Sequence, residues 1–460
     1  MDEQIIREQL YRKYIEPTKR QRENYIGIEI EIPIVNLRKA PVDFAVVHGV
    51  TTKFMGRFGF RPVGLDDDGN VYSAAEEFTG DILSYDCSYN NLELSLGKGR
   101  ELNTIYERFR RYYGFLQEAF AMHGYTLTGF GVNPYRIYNH NIPIPSERYR
   151  MLLHHLRSYK NYTIPMYFHK YPEYGTFSSA SQVQLDVFYD DLLETLDTFG
   201  KVEPIKALIF SNSVLLDEHE ELLCCRDAFW ENSTHGINPH NIGMMDCRLG
   251  SIEDLQSYIE STSIYCVERN GKYINFPPVR IMEYFKKPVI TGEYYDRGIY
   301  RKTEVQPHID DIQYLRTFKF EDLTYRGTIE FRSVCCQPMK DCMTVAAFHL
   351  GLKENLHALT ELLQQDHVIY HQGYTAAELR KLFVRSRLPG FVDEDGVYGL
   401  AKRVVDIAYE GLKKRGFEEE RFLDALYERI ELRMNPAQRL LKLRKDGVKL
   451  DEIIAEYGKL

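Results

Sequence analysis

Between Tyr25 and Val35 every second residue is isoleucine: Ile26, Ile28, Ile30, Ile32 and Ile34. Side chains alternate faces along a β-strand with a period of two, so these share one face. Gly27, Glu29, Glu31 and Pro33 share the other. Two carboxylates thus point the same way, one pleat apart, from a strand with an apolar back.

The pattern recurs in three more segments. Leu92, Leu94 and Leu96 face away from Asn91, Glu93 and Ser95. Ser181, Val183, Leu185 and Val187 face away from Gln182, Gln184 and Asp186. Gly327, Ile329 and Phe331 face away from Thr328, Glu330 and Arg332. One antiparallel sheet satisfies all of them, with its apolar face packed under helices and its polar face open. That polar face would carry Glu29, Glu31, Glu93, Asp186 and Glu330. For any single strand, a solvated face explains the acids. For the set it does not, because like charges placed opposite each other destabilise a sheet. Clustered acids need cations or raised pKa values. Arg332 supplies one positive charge, and a divalent metal is the economical remedy. An all-oxygen donor set suits Mg²⁺, Mn²⁺ or Ca²⁺ rather than zinc.

The rest of the chain reads more coarsely. Residues 3–16 form a helix ending near Pro17, and strands are expected at 24–35, 89–96, 181–188 and 326–334. Residues 36–70 read as an irregular excursion holding the turn Asp66-Asp67-Asp68-Gly69-Asn70. That acidic turn lacks the downstream glutamate of a calcium loop. Helical spacing marks 100–122 and 190–216, whereas 235–310 shows no clear order. From 340 onward the chain reads as helical, broken near Leu388-Pro389-Gly390. The expected class is α+β. No repeat or glycine–serine linker divides it, so residues 1–340 are taken as a sheet unit and 341–460 as a helical part packed on it.

Composition narrows the function classes. Apolar residues make up 44% of the 460, enough for a folded protein. The net charge is −9 with no long basic run, which argues against a nucleic-acid partner. No run of 18 apolar residues appears, so no membrane partner is expected. The acidic start lacks a signal peptide and predicts a cytosolic protein. The 8 cysteines include no C-x-x-C pair and read as free thiols.

Five motifs together resemble a known family. Gly27-x-Glu29-x-Glu31 resembles the opening strand of glutamate–cysteine ligases and, more distantly, of glutamine synthetase. The segment Tyr85 to Ser95, with Asp86 seven positions before Glu93, resembles the second acidic strand. Phe130-Gly131-Val132-Asn133-Pro134, Gln182-Val183-Gln184-Leu185-Asp186 and Arg326-Gly327-Thr328-Ile329-Glu330-Phe331-Arg332-Ser333 are similar to motifs of the plant-type (GCS2-like) branch. The resemblance spans about residues 24–360, in the family's order.

The resemblance implies a glutamine synthetase-like, antiparallel, saddle-shaped sheet with the active site on its concave face. It implies an ATP-dependent carboxylate–amine ligase that joins glutamate and cysteine through γ-glutamyl phosphate, the first step of glutathione biosynthesis. Glu29, Glu31, Asp86, Glu93 and Glu330 would bind two or three Mg²⁺ ions. Gln182 and Gln184 would contact metal or nucleotide. Arg332, with Arg326, would meet phosphate, and Arg226 and Trp230 would meet the amino-acid substrate. One departure stands out. Relatives follow Arg-x-x-x-Trp with an Asp and an Arg, and the segment after Trp230 lacks that Arg. A related γ-glutamyl ligase with another amine acceptor, or a metal-dependent phosphohydrolase, is the alternative. Gly97-Lys98-Gly99 is no P-loop. His154, His155, His235, His240 and His308, like Cys335-Cys336, read as packing or polar residues.

Overall fold

In the computed structural model, residues 2–218, 221–245, 247–366 and 373–460 are described. The strands are β1 (Ile26–Asn36), β2 (Arg61–Leu65), β3 (Val71–Ala75), β4 (Ile82–Tyr85), β5 (Asn91–Gly99), β6 (Tyr125–Leu127), β7 (Ser181–Asp186), β8 (Ile242–Gly243), β9 (Ser263–Arg269), β10 (Lys272–Arg280), β11 (Ile290–Asp296), β12 (Ile299–Val305), β13 (Phe318–Lys319), β14 (Glu321–Leu323) and β15 (Thr328–Phe331). The main antiparallel sheet runs β14-β15-β7-β1-β5-β4-β3-β2, with β6 on the far end of β1. All four strands read from alternation therefore lie side by side, in the order β15, β7, β1, β5. A second sheet, β12-β11-β10-β9, stands apart from the first.

The isoleucine face of β1 is buried throughout. Three helices precede the second half of the chain's sheet: α1 (Glu3–Tyr14), α2 (Phe44–Phe58) and α3 (Leu102–Ala121). The buried face of α3, with Phe109, Leu116 and Phe120, lies against β5. Next come α4 (Glu147–Arg157), α5 (Leu192–Phe210), α6 (Cys225–Glu231), α7 (Ile252–Glu260) and α8 (Ile281–Lys286). Then follow α9 (Thr344–Glu354), α10 (Leu356–Gln364), α11 (Ala376–Phe383) and α12 (Glu394–Arg415). Of these, α9 lies on β1 and β7, α12 lies on α9, and α11 lies on α5. The sheet is thus covered on its apolar side and left for chemistry on the other. This is an α+β architecture.

Two expectations fail. The stretch 36–70 is not irregular, because α2 and β2 occupy much of it. Asp43 caps α2 by accepting a hydrogen bond from Ala45 N, and Gly59, at φ 76°, ends it in the left-handed region. Its glycines mask that helix in the sequence. The stretch 235–310, read as unordered, holds the second sheet. Pro277 and Pro278 inside β10 break its pairing register between Asn275 and Val279, which hides the alternation. The Asp66–Asn70 turn is present, with Asp66 accepting hydrogen bonds from Asp68 N and Asn70 N. Of the helical reading from residue 340 onward, 367–372 lie outside the described residues.

Candidate functional site

Register places the acids. Glu31 sits directly opposite Glu93 across β1 and β5, and Glu29 sits opposite Gln182 across β1 and β7. Glu330 faces Gln184 across β7 and β15, and Asp322 of β14 faces Glu330 on the other side. Alternation carries these side chains to the same face. Short polar contacts hold them. Glu31 accepts hydrogen bonds from Ala180 N at 2.7 Å and Gln182 Nε2 at 2.8 Å. Glu29 accepts one from Gln184 Nε2 at 3.0 Å, and Arg326 donates to Gln184 Oε1 at 2.8 Å. Glu93 accepts from Ser95 Oγ at 2.6 Å and Ser84 Oγ at 3.2 Å. Arg332 pairs with Glu330 at 2.9 Å. Asp186 is drawn out of the set, because it accepts a hydrogen bond from Tyr25 N and pairs with Arg22 at the strand's end.

Groups outside the sheet complete the surroundings. Asp86 lies in the turn between β4 and β5, just before Cys87, whose φ of 60° is in the left-handed region. Arg226 and Trp230 stand four apart on α6, so one helix face presents both. They line an enclosed cavity of about 160 Å³ together with Glu31, Asp86, Gln182 and Arg332. Trp230 stacks on Phe318 with ring centres 4.8 Å apart. A larger, more open cavity of about 910 Å³ is lined by Lys13, Asp322, Arg326, Glu330 and Arg332. Glu29, Glu93 and Gln184 belong to the same polar face but line neither cavity. Sequence reasoning missed Arg148, Arg316 and Asp322, which all line one or both cavities. Only Asp322 carried a signal, since it continues the alternating pattern of the sheet on a short strand. Arg148 on α4 and Arg316 in a loop carried none.

The acids raise each other's affinity for protons. Burial, then the charge of Asp86, pushes Glu31 up to about 8, against the pull of Arg226. Burial and Asp86 push Glu93 up to about 7, with Glu330 adding to the effect. Burial, Glu93, Glu330 and Glu31 raise Glu29 well above the ordinary carboxylate range. Burial raises Asp86, while Arg148 and Arg332 oppose the rise. Burial likewise lifts Asp322 to about 6. Burial works against the Arg332 cation, yet Glu330, Asp322, Glu29 and Glu31 together hold its proton more tightly than usual. These are the marks of buried carboxylates crowded on one sheet face.

Such a face suits a hard cation by donor type, since every candidate ligand is a carboxylate or amide oxygen. Gln182 Oε1 is also buried with no hydrogen-bond partner, a vacant acceptor in the same place. The acids nevertheless share a sheet face rather than a common point. Among the described residues, no group of three Asp, Glu, His or Cys side chains is gathered closely enough to hold one ion.

A model of glutamate–cysteine ligase family 2 (GCS2) matches residues 26–457. The chain is 25% identical over 329 residues to the chloroplastic glutamate–cysteine ligase of Solanum lycopersicum, covering 69% of this chain and 57% of that protein. It is 23% identical over 422 residues to chloroplastic glutamate–cysteine ligase A of Oryza sativa subsp. indica, covering 84% and 79%. The chain spans about half the length of some curated relatives, including 49% of the Medicago truncatula glutamate–cysteine ligase. A crystal structure of glutamate–cysteine ligase from Francisella tularensis in complex with AMP aligns with a TM-score of 0.47 at 12% identity, covering 96% of this chain and 89% of that one. The names of the plant relatives place them in the chloroplast, and they overturn the expectation of a cytosolic protein. Among the described residues, no helix is long and apolar enough to cross a membrane.

Proposed function

The chain belongs to glutamate–cysteine ligase family 2, and from that premise we propose that it is an ATP-dependent ligase joining the γ-carboxylate of glutamate to the amine of cysteine. One observation supports the reading above all. Glu31 and Asp86 line an enclosed cavity with Arg226 and Arg332, Arg332 pairs with Glu330 of the open cavity, and Glu29 and Glu93 lie beside them on the same sheet face. That is the balance of charge needed to carry a triphosphate beside a carboxylate.

The chemistry follows from the difficulty of the bond. A carboxylate is a poor electrophile until it bears a leaving group. A lone pair of the glutamate γ-carboxylate forms a new O–P bond to the γ-phosphorus of ATP. The bond to the β,γ-bridging oxygen breaks, and ADP leaves with the electron pair. The cysteine amine then forms the C–N bond, phosphate departs with the C–O pair, and the amine proton passes to solvent. Negative charge gathers on the phosphoryl oxygens in the first step. Arg332, held by Glu330, would meet it there as a fixed cation. Arg226 and Trp230, on one face of α6, would seat the amino-acid substrate. Gln182, Gln184 and Arg326 would contact the nucleotide. Glu29, Glu31, Asp86, Glu93 and Glu330 would hold two or three Mg²⁺ ions. When bound, Mg²⁺ would supply positive charge that offsets the charge on phosphate and relieves the repulsion among these acids.

The finer form of the proposal is a glutamine synthetase-like saddle whose concave side faces the substrates. Residues 1–340 would carry the reacting groups, with 341–460 as a helical brace. Its partners would be small molecules rather than nucleic acid. The acceptor amine is the open choice, because the segment after Trp230 lacks the arginine that relatives carry. The test is a single incubation series with Mg-ATP, glutamate and a panel of amino acids, following ADP and dipeptide. ADP formation that requires glutamate and one preferred amine is expected. Phosphate release indifferent to every amino acid would make the protein a phosphohydrolase instead.

A further inference from the structure

The two cavities share four lining residues: Arg148, Arg316, Phe318 and Arg332. Three of the four are arginines. The enclosed cavity carries Arg226 and Trp230, and the open one has room for a nucleotide, so whatever passes between substrates passes these side chains. Arg332 reaches the junction from the sheet and is already paired with Glu330. Arg148, on the first turn of α4, and Arg316, in the loop before β13, come from outside the sheet. Neither of their guanidinium groups makes a hydrogen bond or an ion pair among the described residues, and both are exposed to the hollow.

Arg332 is paired with Glu330, and Arg326 donates to the neutral amide oxygen of Gln184. Two cations without a carboxylate partner at one junction give the shared wall a positive charge that an anion would meet. Two other polar atoms of the enclosed cavity are in the same condition. Gln182 Oε1 and Arg226 Nε are buried without a hydrogen-bond partner. Nearby Asp86 acts electrostatically on Arg148 but forms no ion pair with it. An anion at the shared wall would meet these groups.

We infer that Arg148 and Arg316 clamp the phosphoryl group in transit from ATP to the acceptor carboxylate, opposite Arg332. The inference rests on the ligase reading, since it takes the first step above as the reaction. In that step the γ-phosphoryl group leaves ADP and joins the carboxylate oxygen, and its three equatorial oxygens carry the developing charge. Planar guanidinium forks match such oxygens two at a time. A residue that lines both cavities touches the γ-phosphoryl group before and during its passage, so its effect falls on γ-phosphate binding and on the rate of transfer. A residue holding the α-carboxylate of an amino acid would instead act on the affinity for that amino acid alone.

The experiment compares the full chain with Arg148→Ala, Arg316→Ala and the two Lys variants. Steady-state rates give kcat and the separate KM values for ATP, glutamate and the preferred amine. Calorimetry with Mg²⁺ gives the affinities for ADP and for the β,γ-imido analogue of ATP. The alanine variants should lose about 10²-fold in kcat, the usual scale for one preorganised donor. Their KM values for the two amino acids should stay within about threefold, while the KM for ATP rises in step with a lost preference for the imido analogue over ADP and ADP affinity holds. The lysine variants, which keep the charge but not the fork, should fall between. A raised KM for one amino acid at unchanged kcat would overturn the clamp, and so would an unchanged nucleotide preference. Absent ligation by the wild type sinks the ligase reading alone, because the nucleotide preference is measured without turnover.

Discussion

Glu31 is almost fully buried, lies opposite another acid and yet accepts two hydrogen bonds. Structure alone does not require a carboxylate there, since an amide would fill the same volume. Glu31→Gln and Glu330→Gln should therefore leave the fold intact, with unfolding midpoints no lower than wild type. Dipeptide formation should fall by at least about 10² in each, the scale of a lost electrostatic group. Near-normal turnover in both purified variants would remove the site assignment. The pairing of Glu29 with Glu31 was legible in β1 itself. Asp86 was not, because it lies in a turn, and only the family resemblance pointed to it. A second residue-scale prediction concerns His155 and His235. Burial holds His235 down at about 3, and burial, then His235 and His154, hold His155 well below its usual value. Asn275 Nδ2 donates to His155 Nδ1, which fits a neutral ring. The folded state thus stays neutral where the unfolded state takes up protons, below about pH 6.5. The unfolded state binds more protons there, so stability falls as pH drops from 6.5 toward 3, by about 1.4 kcal/mol per group per pH unit. His235 packs among Trp230, Tyr265 and Phe318. His235→Phe should make the loss shallower, read as denaturant midpoints at pH 7 and 5.5. Parallel pH curves would contradict it.

At the scale of elements, legibility followed periodicity. The four site strands could be read because each has one apolar and one acidic face, and neighbouring rows of acids can only be sheet partners. Their order could not be read, since β15 joins β7 and β7 joins β1 across long intervals of chain. The helices behind the sheet were visible as helices, but their mutual approach was not. There α9 and α12 cross so closely that a Cβ on Gly411 would stand 1.9 Å from Gly351 O, and one on Gly351 would stand 2.2 Å from Ala408 O. Backbone cannot yield as a side-chain tip would, so the helices must separate. Gly411→Ala should destabilise the protein by about 1–3 kcal/mol, the usual cost of overpacking, although alanine is the better helix former. Because α9 lies on β1 and β7, the same variant should also lower turnover. A urea midpoint equal to or above wild type would show that the helices can part freely.

Across the whole molecule, one buried network joins the helical part to the sheet. Glu203 and Lys206 of α5 are fully buried and paired with each other, and Ser333, just past Arg332, donates to Glu203 at 3.0 Å. Arg380 of α11 donates to Glu203 at 2.7 Å and to Asp227, beside Arg226 on α6, at 2.8 Å. Burial works against Glu203's charge, yet Lys206 and Arg380 hold it down at about 2, while burial and Glu203 raise its neighbour Glu321 well above the usual range. A residue of the C-terminal part thus sets the charge balance directly behind Arg226 and Arg332. None of this was legible in the sequence, where Glu203, Lys206 and Arg380 sit in ordinary helical stretches. Arg380→Met keeps much of the volume but takes the cation from Asp227 and leaves Glu203 with Lys206 alone. Breaking a buried pair in this way costs about 3–5 kcal/mol, because the stranded charge stays desolvated. The variant should unfold at a markedly lower urea concentration. Adding Asp227→Asn should recover part of the loss, since that stranded charge goes with the cation while Glu203 keeps Lys206. If the double variant is no more stable than Arg380→Met alone, the charge balance is not what binds these elements, and apolar packing between α5 and α11 carries the joint instead.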